Sequence, residues 1–314
     1  MKKFIFLLVI GCLVLVYKGS AQQLPVSSIF IENPFLFNPA VAGVDDGFKV
    51  RMNNRFQWLG FADAPITNLL SAYGPHKNKN IGYGGTIGYD SAGPYSKFNL
   101  NGAFATNVSI NDQIRISMGI GLGFIQYRID GSQLELDAPG TPQIQDPYAP
   151  LSPMSTSLPD ASAGVYVYHN NWYAGFSALQ LFNNNVVFNG ENSDRNRLKT
   201  HFYVNGGYKF VLNEQWEIEP ALLVKKVDAT PLQLDLTGRV TYRQQFWGGI
   251  NLRNTFESFE DISIMIGYIH QKNIHIGLAY DHTLAKIGKF NSGTIELVLG
   301  YNFTSIKNRP KSDK

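Results

Sequence analysis

In the stretch Ile114 to Phe124, IRISMGIGLGF, apolar residues alternate strictly with small or polar ones. Ile114, Ile116, Met118, Ile120, Leu122 and Phe124 fall on one face of an extended chain, and Arg115, Ser117, Gly119, Gly121 and Gly123 fall on the other. The same period of two recurs along the chain. Val50, Met52, Phe56 and Trp58 oppose Arg51, Asn53, Arg55 and Gln57, and Phe98, Leu100, Phe104 and Val108 oppose Asn99, Asn101, Ala103 and Asn107. Further on, Leu234, Leu236, Val240 and Tyr242 oppose Asp235, Thr237, Arg239, Thr241 and Arg243. Near the end, Ile295, Leu297, Leu299, Tyr301 and Phe303 oppose Glu296, Gly300 and Asn302. About 14 such segments of roughly 9 to 14 residues are long for globular strands but suit tilted strands that cross a bilayer.

The connections sharpen the reading. Tight polar turns stand at His76 to Lys79, Asn111-Asp112, Asn170-Asn171, Asn213-Glu214, Gln244-Gln245 and Lys272-Asn273. Longer links separate them: Leu59 to Ala64, Asp90 to Pro94, Asp130 to Leu158, Asn183 to Leu198, Asn254 to Glu260 and Leu284 to Asn291, with the brief Val227 to Ala229 as the exception. A transmembrane barrel sorts its links this way, with short periplasmic turns on one rim and long extracellular loops on the other. The expected fold is therefore all-β: a transmembrane antiparallel β-barrel of about 14 strands over residues 47–304. Closure is required because an open sheet edge in hydrocarbon leaves amides unpaired, at several kcal/mol each. Tyr and Trp near segment ends, namely Trp58, Tyr127, Trp172, Trp216 and Trp247, are assigned to aromatic girdles. The longest link carries Pro139, Pro142, Pro147, Pro150 and Pro153, with Pro159 just beyond, and is expected to fold over the barrel mouth or touch a partner.

Composition agrees. Aromatics make up 13% of the 314 residues, Gly counts 30, and charged residues reach only 16%, below the usual quarter of a soluble domain. At the start, Lys2 and Lys3 precede an apolar run from Phe4 to Val16 and the small residues Gly19-Ser20-Ala21. This reads as a secretory signal peptide over residues 1–21, since a membrane-spanning helix needs about 20 apolar residues. The run continues past Cys12, which argues against a lipoprotein signal. Cleavage after Ala21 removes the single cysteine together with Lys2, Lys3 and Lys18, taking the formal net charge from +3 to zero. No basic excess is then left to argue for nucleic acid. A basic tail occupies residues 305–314.

Candidate chemistry is sparse. GYGGTIG, Gly82 to Gly88, has glycine spacing faintly like a dinucleotide fingerprint, yet it continues as alternating strand where that motif must open a helix. His76, His169 and His270 fall at turns, and His275 and His282 are seven apart, on opposite faces of one strand. No G-x-S-x-G elbow occurs. No catalytic residue, metal or cofactor is expected. By alternation Arg51, Arg55, Arg115, Arg239, Arg243, Arg253, Glu217, Glu219, Asp235, Asp281 and Glu296 project into the lumen. Both signs occur in similar numbers, which favours a cross-braced interior over an ion path.

The segment Phe37 to Pro75 carries a more specific pattern: Phe37-Asn38-Pro39-Ala40-Val41-Ala42-Gly43, then Arg55-Phe56-Gln57-Trp58, Gly60-Phe61 and Ala64-Pro65-Ile66-Thr67. It resembles the opening of the PorP/SprF family of the type IX secretion and gliding apparatus, with Val41 where an aromatic is usual. Residues Pro220 to Asp235 and the stretch Ile276 to Phe303, which holds Tyr280-Asp281 and Tyr301-Asn302-Phe303, are similar to the family's middle and end. The resemblance implies a non-enzymatic outer-membrane protein. Its partners would be the periplasmic ring, which members tie to the membrane, or one large secreted adhesin, which members help to the cell surface. An outer-membrane porin or solute transporter is the alternative. Asn38-Pro39 favours a turn and Gly43 a bend, so residues 22–46 are expected to form a periplasmic or plug segment, with Phe35 and Phe37 wedged into the periplasmic mouth.

Overall fold

Extended alternation leaves each segment with one apolar and one polar face, and only lateral pairing satisfies its backbone. The computed structural model describes residues 26–76, 80–131, 152–188, 197–228, 230–256 and 258–303. Signal peptide, tail, residues 77–79 of the first turn, and Pro139, Pro142, Pro147 and Pro150 lie outside the described residues.

Fourteen antiparallel strands close into a barrel. They are β1 (Lys49–Phe56), β2 (Ile66–Pro75), β3 (Ile81–Ala92), β4 (Tyr95–Ser109), β5 (Arg115–Ile129), β6 (Met154–Tyr168) and β7 (Trp172–Leu179). β8 (His201–Tyr208) resumes after Lys209 as Phe210–Val211. β9 (Trp216–Val227), β10 (Gln233–Tyr242), β11 (Phe246–Thr255), β12 (Ser258–His270), β13 (Ile274–Thr283) and β14 (Thr294–Asn302) complete the wall. Each strand pairs with its sequence neighbours, and β14 returns to β1 with Lys49 opposite Asn302 and Phe56 opposite Ile295.

The apolar face of Ile114 to Phe124 points outward. Met118, Ile120 and Leu122 are 48%, 58% and 62% exposed, whereas Ser117 is fully buried. Ile262, Ile264 and Ile266 on β12 extend the same outer band. At the short-turn rim the band ends in aromatic pairs, Tyr208 with Phe210 at 4.4 Å, Trp216 with Tyr242 at 4.6 Å and Phe246 with Tyr268 at 4.9 Å between ring centroids. Rings with one apolar and one polar end suit a membrane interface.

Two aromatics assigned to girdles face the other way. Tyr127 is buried against Ile125, Val186 and Leu198, and Trp247 against Ile29, Met265, Ala279 and Val298. Nearness to a strand end suggests a girdle, but strand parity sets the face, and Tyr127 pairs with inward Lys97 and Trp247 with inward Thr241. Several link boundaries also shift: β3 runs to Ala92 and β4 starts at Tyr95, and β11 runs to Thr255 and β12 starts at Ser258. β6 begins at Met154, so the link from Asp130 stops short of Leu158, and Pro159 lies within the strand. Pairing of β6 with β7 covers only Ser162 to Tyr168, so Pro159 interrupts no ladder on that side.

Candidate functional site

The lumen holds the chain's own N-terminal segment. Residues from Ser27 to Gly43 are almost all buried, although they form only three short 3-10 turns: Phe30–Glu32, Pro34–Leu36 and Pro39–Gly43. Isolated turns of this length are not stable by themselves, so the wall must supply the stabilisation. Apolar side chains of the segment create a core inside the barrel. Ile29 packs on Trp247, Met265 and Val298; Phe30 and Phe37 pack on Tyr203, Ala221 and Leu223. Phe35, Ala40, Val41 and Ala42 join Tyr73, Ala103 and Tyr166. Phe35 stacks on Tyr73 at 4.5 Å, and Phe37 meets Tyr203 at 5.5 Å. Each fully buried Phe contributes about 1.5–3 kcal/mol. The inner face is therefore apolar where the segment packs, a departure from the uniformly polar lumen that alternation suggests.

Asn38 anchors the family-like motif. Its Oδ1 accepts from Ala40 N at 2.9 Å and caps the turn that Pro39 opens, while Nδ2 donates to the carbonyls of Val165 at 3.1 Å and Phe176 at 3.3 Å. Ser117 Oγ donates to Ala40 O at 2.6 Å, Asn107 Nδ2 to Gly43 O at 3.0 Å, and Ser177 Oγ to Phe37 O. The wall here is built of glycine for close approach. A Cβ on Gly119 would overlap the backbone of Ala40, one on Gly82 that of Gly43, and one on Gly164 the side chain of Asn38. In GYGGTIG, Gly82 and Gly84 thus make room for the segment, Gly82 for its backbone at Gly43 and Gly84 for the Phe35 ring.

Charged side chains grip the segment at two levels. Near the short-turn rim, Glu32 pairs with Arg239, which also pairs with Glu219. Arg51 Nε donates to Glu32 O at 3.1 Å, and His275 Nδ1 lies 3.2 Å from Glu32 Oε2. Asn302 Nδ2, 2.7 Å from His275 Nε2, makes that nitrogen the acceptor and leaves the proton on Nδ1 facing Glu32. Burial opposes charge on Glu32, but the His275 hydrogen bond and the Arg239 and Arg51 guanidinium groups outweigh it and hold the carboxyl well below the usual range.

Toward the long-loop rim, Arg55 Nη2 meets Asp281 Oδ2 at 2.7 Å and Nη1 meets Glu296 Oε2 at 3.1 Å. Arg253 meets Asp235 at 2.8 Å and Asp261 at 3.1 Å. Into this cluster the segment inserts Ser28, whose N donates to Glu296 Oε2 and whose Oγ donates to Asp281 Oδ2, both at 2.8 Å.

Of the residues singled out by sequence, Phe37, Asn38, Pro39, Ala40 and Gly43 line one contact with the wall, Arg55, Asp281 and Glu296 converge on Ser28, and Asp235 joins them through Arg253. Arg51 and Arg239 converge on Glu32. Gln57, Trp58 and Pro65 stay apart from both, at the long-loop rim, where Gln57 N donates to Pro65 O at 2.9 Å and Trp58 N to Thr294 Oγ1 at 3.2 Å. Arg115 opens β5 at the short-turn rim and is half-buried. Arg243 is not in the lumen: β10 ends at Tyr242, and Arg243 takes the left-handed turn conformation, φ 52°, with its guanidinium over the Tyr242 ring. The turn breaks the parity on which the inward assignment rested. Missed by sequence were Ser28, Glu32, Asn33 and the wall hydroxyls. A second Asn-Pro step at Asn33-Pro34 was the available signal that this segment folds back in successive turns. Among the described residues, no group of three His, Cys, Asp or Glu is placed to hold a metal.

A closed antiparallel cylinder with an apolar outside and a chain segment inside defines a β-barrel with the architecture of outer-membrane barrels. Solved structures share the architecture. "CymD monoaromatic hydrocarbon channel" is 10% identical, with 91% of this chain and 95% of that one covered and a TM-score of 0.51. "TodX deltaS2S3 mutant monoaromatic hydrocarbon channel" is 9% identical, with 86% and 94% covered and a TM-score of 0.51. A Pseudomonas aeruginosa FadL homologue is 12% identical, with 85% and 93% covered and a TM-score of 0.47. No curated protein matches the sequence. The family described as type IX secretion system membrane protein PorP/SprF matches residues 19–301, and the chain belongs to it.

Proposed function

We propose that this barrel is a non-catalytic outer-membrane part of the type IX secretion or gliding apparatus. It either ties the periplasmic ring of the machine to the membrane or supports secretion and surface attachment of a large adhesin. In this reading the protein is exported by a cleaved signal peptide, its short turns face the periplasm and its long loops the outside. The observation that carries the proposal is the occupied lumen in a member of this family: a segment bonded to most of the wall suits an anchor or accessory better than an open pore. Solute transport is the second reading, supported by a chamber left beside the segment.

Affinity capture from gently solubilised outer membrane, with planar-bilayer recording of the same preparation, tests the choice. Copurification of a periplasmic ring component or a very large secreted protein, with low conductance, is the expected result. High steady conductance without a protein partner would overturn it in favour of transport.

A further inference from the structure

We infer a ligand site within the barrel: the chamber between the N-terminal segment and the wall binds a small neutral amphiphile, a single ring or short acyl chain that carries a hydroxyl or amide. The chamber has a volume of about 120 Å³. Phe35 and Leu36 of the segment, with Leu69 and Leu179 of the wall, supply its apolar surface. That is of the order of the roughly 150 Å³ cavity that takes up benzene, so the space is sized for a single ring or a short chain.

Polar groups on β3 and β4 define the rest of the ligand. Thr86, Asn99 and Asn101 also line the chamber. Among the described residues, none of these half-buried side chains pairs with another protein group, which leaves them open to a ligand or to solvent. Asn99 Oδ1 fills the space over Gly88, and the Asn101 carboxamide lies over Gly121 beside Ser162 Oγ, so the wall glycines make the room in which both carboxamides sit. Charge selects against an acid. Lys97, the cation at the chamber's edge, already holds Asp90 at 2.7 Å, and the carboxylate of Asp160 lines the same space. A carboxylate ligand would find its only lysine occupied and a like charge beside it, whereas a hydroxyl or amide suits free carboxamides.

The test soaks crystals of the full-length, detergent-solubilised protein with 4-iodophenol and locates iodine by its anomalous scattering. Wild-type protein should show an iodine peak between Leu36 and Asn101. Leu69→Trp and Ala103→Phe, two independent ways of filling the space, should lose that peak while the barrel stays folded. Iodobenzene, which lacks the hydroxyl, should bind roughly tenfold more weakly, the worth of one buried hydrogen bond. No iodine in the wild-type chamber, or an undiminished peak in a folded filled variant, overturns the site; equal binding of iodobenzene overturns the assigned ligand class.

Discussion

Gly119 and Ala40 lie so close that a Cβ on the glycine would overlap the alanine backbone. One belongs to the wall and the other to the segment inside it. Their contact explains why both are small, and it makes the wall glycines sensitive probes of whether the segment is in place.

Gly119→Val should fold as a barrel but push the segment out of register, with the cost of about 1–3 kcal/mol typical of overpacking. Planar-bilayer recording should find higher or noisier conductance than wild type. Gly102, whose missing Cβ meets nothing closer than a carbonyl oxygen 3.9 Å away, is the control, and Gly102→Ala should behave as wild type.

Asn38→Ala removes the cap on the turn and both donations to the wall. The cap alone is worth roughly 0.5–2 kcal/mol, and the orphaned wall carbonyls add to that. Hydrogen exchange at Val41 and Val44, whose amides close the turn onto Asn38 and Val41, should accelerate about tenfold or more, since 1.4 kcal/mol is a factor of ten. Exchange in β12, across the barrel, should stay unchanged.

Arg55→Met leaves Asp281 and Glu296 buried without their shared cation. Breaking a buried pair from one side costs about 3–5 kcal/mol, more than the pair's net worth. Urea unfolding in detergent should show that loss, and adding Glu296→Gln to Arg55→Met should restore part of it. A double variant less stable than Arg55→Met would contradict the pairing.

Acid sensitivity follows from Glu32. Its carboxyl is depressed in the folded protein, so its stabilising contribution is complete above its ordinary value of 4.5 and is lost as pH falls toward the folded value. The unfolding free-energy difference between wild type and Glu32→Gln should therefore shrink as pH falls below 4.5. A difference that grows on acidification would reverse the sign and exclude this electrostatic role.

Local chemistry already determined much of this protein. Alternation from Ile114 to Phe124 decides which face meets lipid because side chains in a strand point to opposite faces in turn, whatever the partner strand. Turn residues such as Asn111-Asp112 and Lys272-Asn273 gave the hairpins, and the cost of an open sheet edge in hydrocarbon required closure. The motif at Phe37 to Gly43 was visible as a pattern, and its turn followed from Asn38-Pro39. Which residues of the wall it touches was decided only by the tertiary structure. Ser28 meets Asp281, and Asn38 meets Val165 and Phe176, across separations that carry no local signal, since only barrel closure brings these strands around one axis. Strand parity turns Trp247 and Tyr127 inward and the turn after Tyr242 takes Arg243 out of the lumen, whereas the tertiary structure alone showed Gly82 and Gly84 to be clearance for the segment threaded past them.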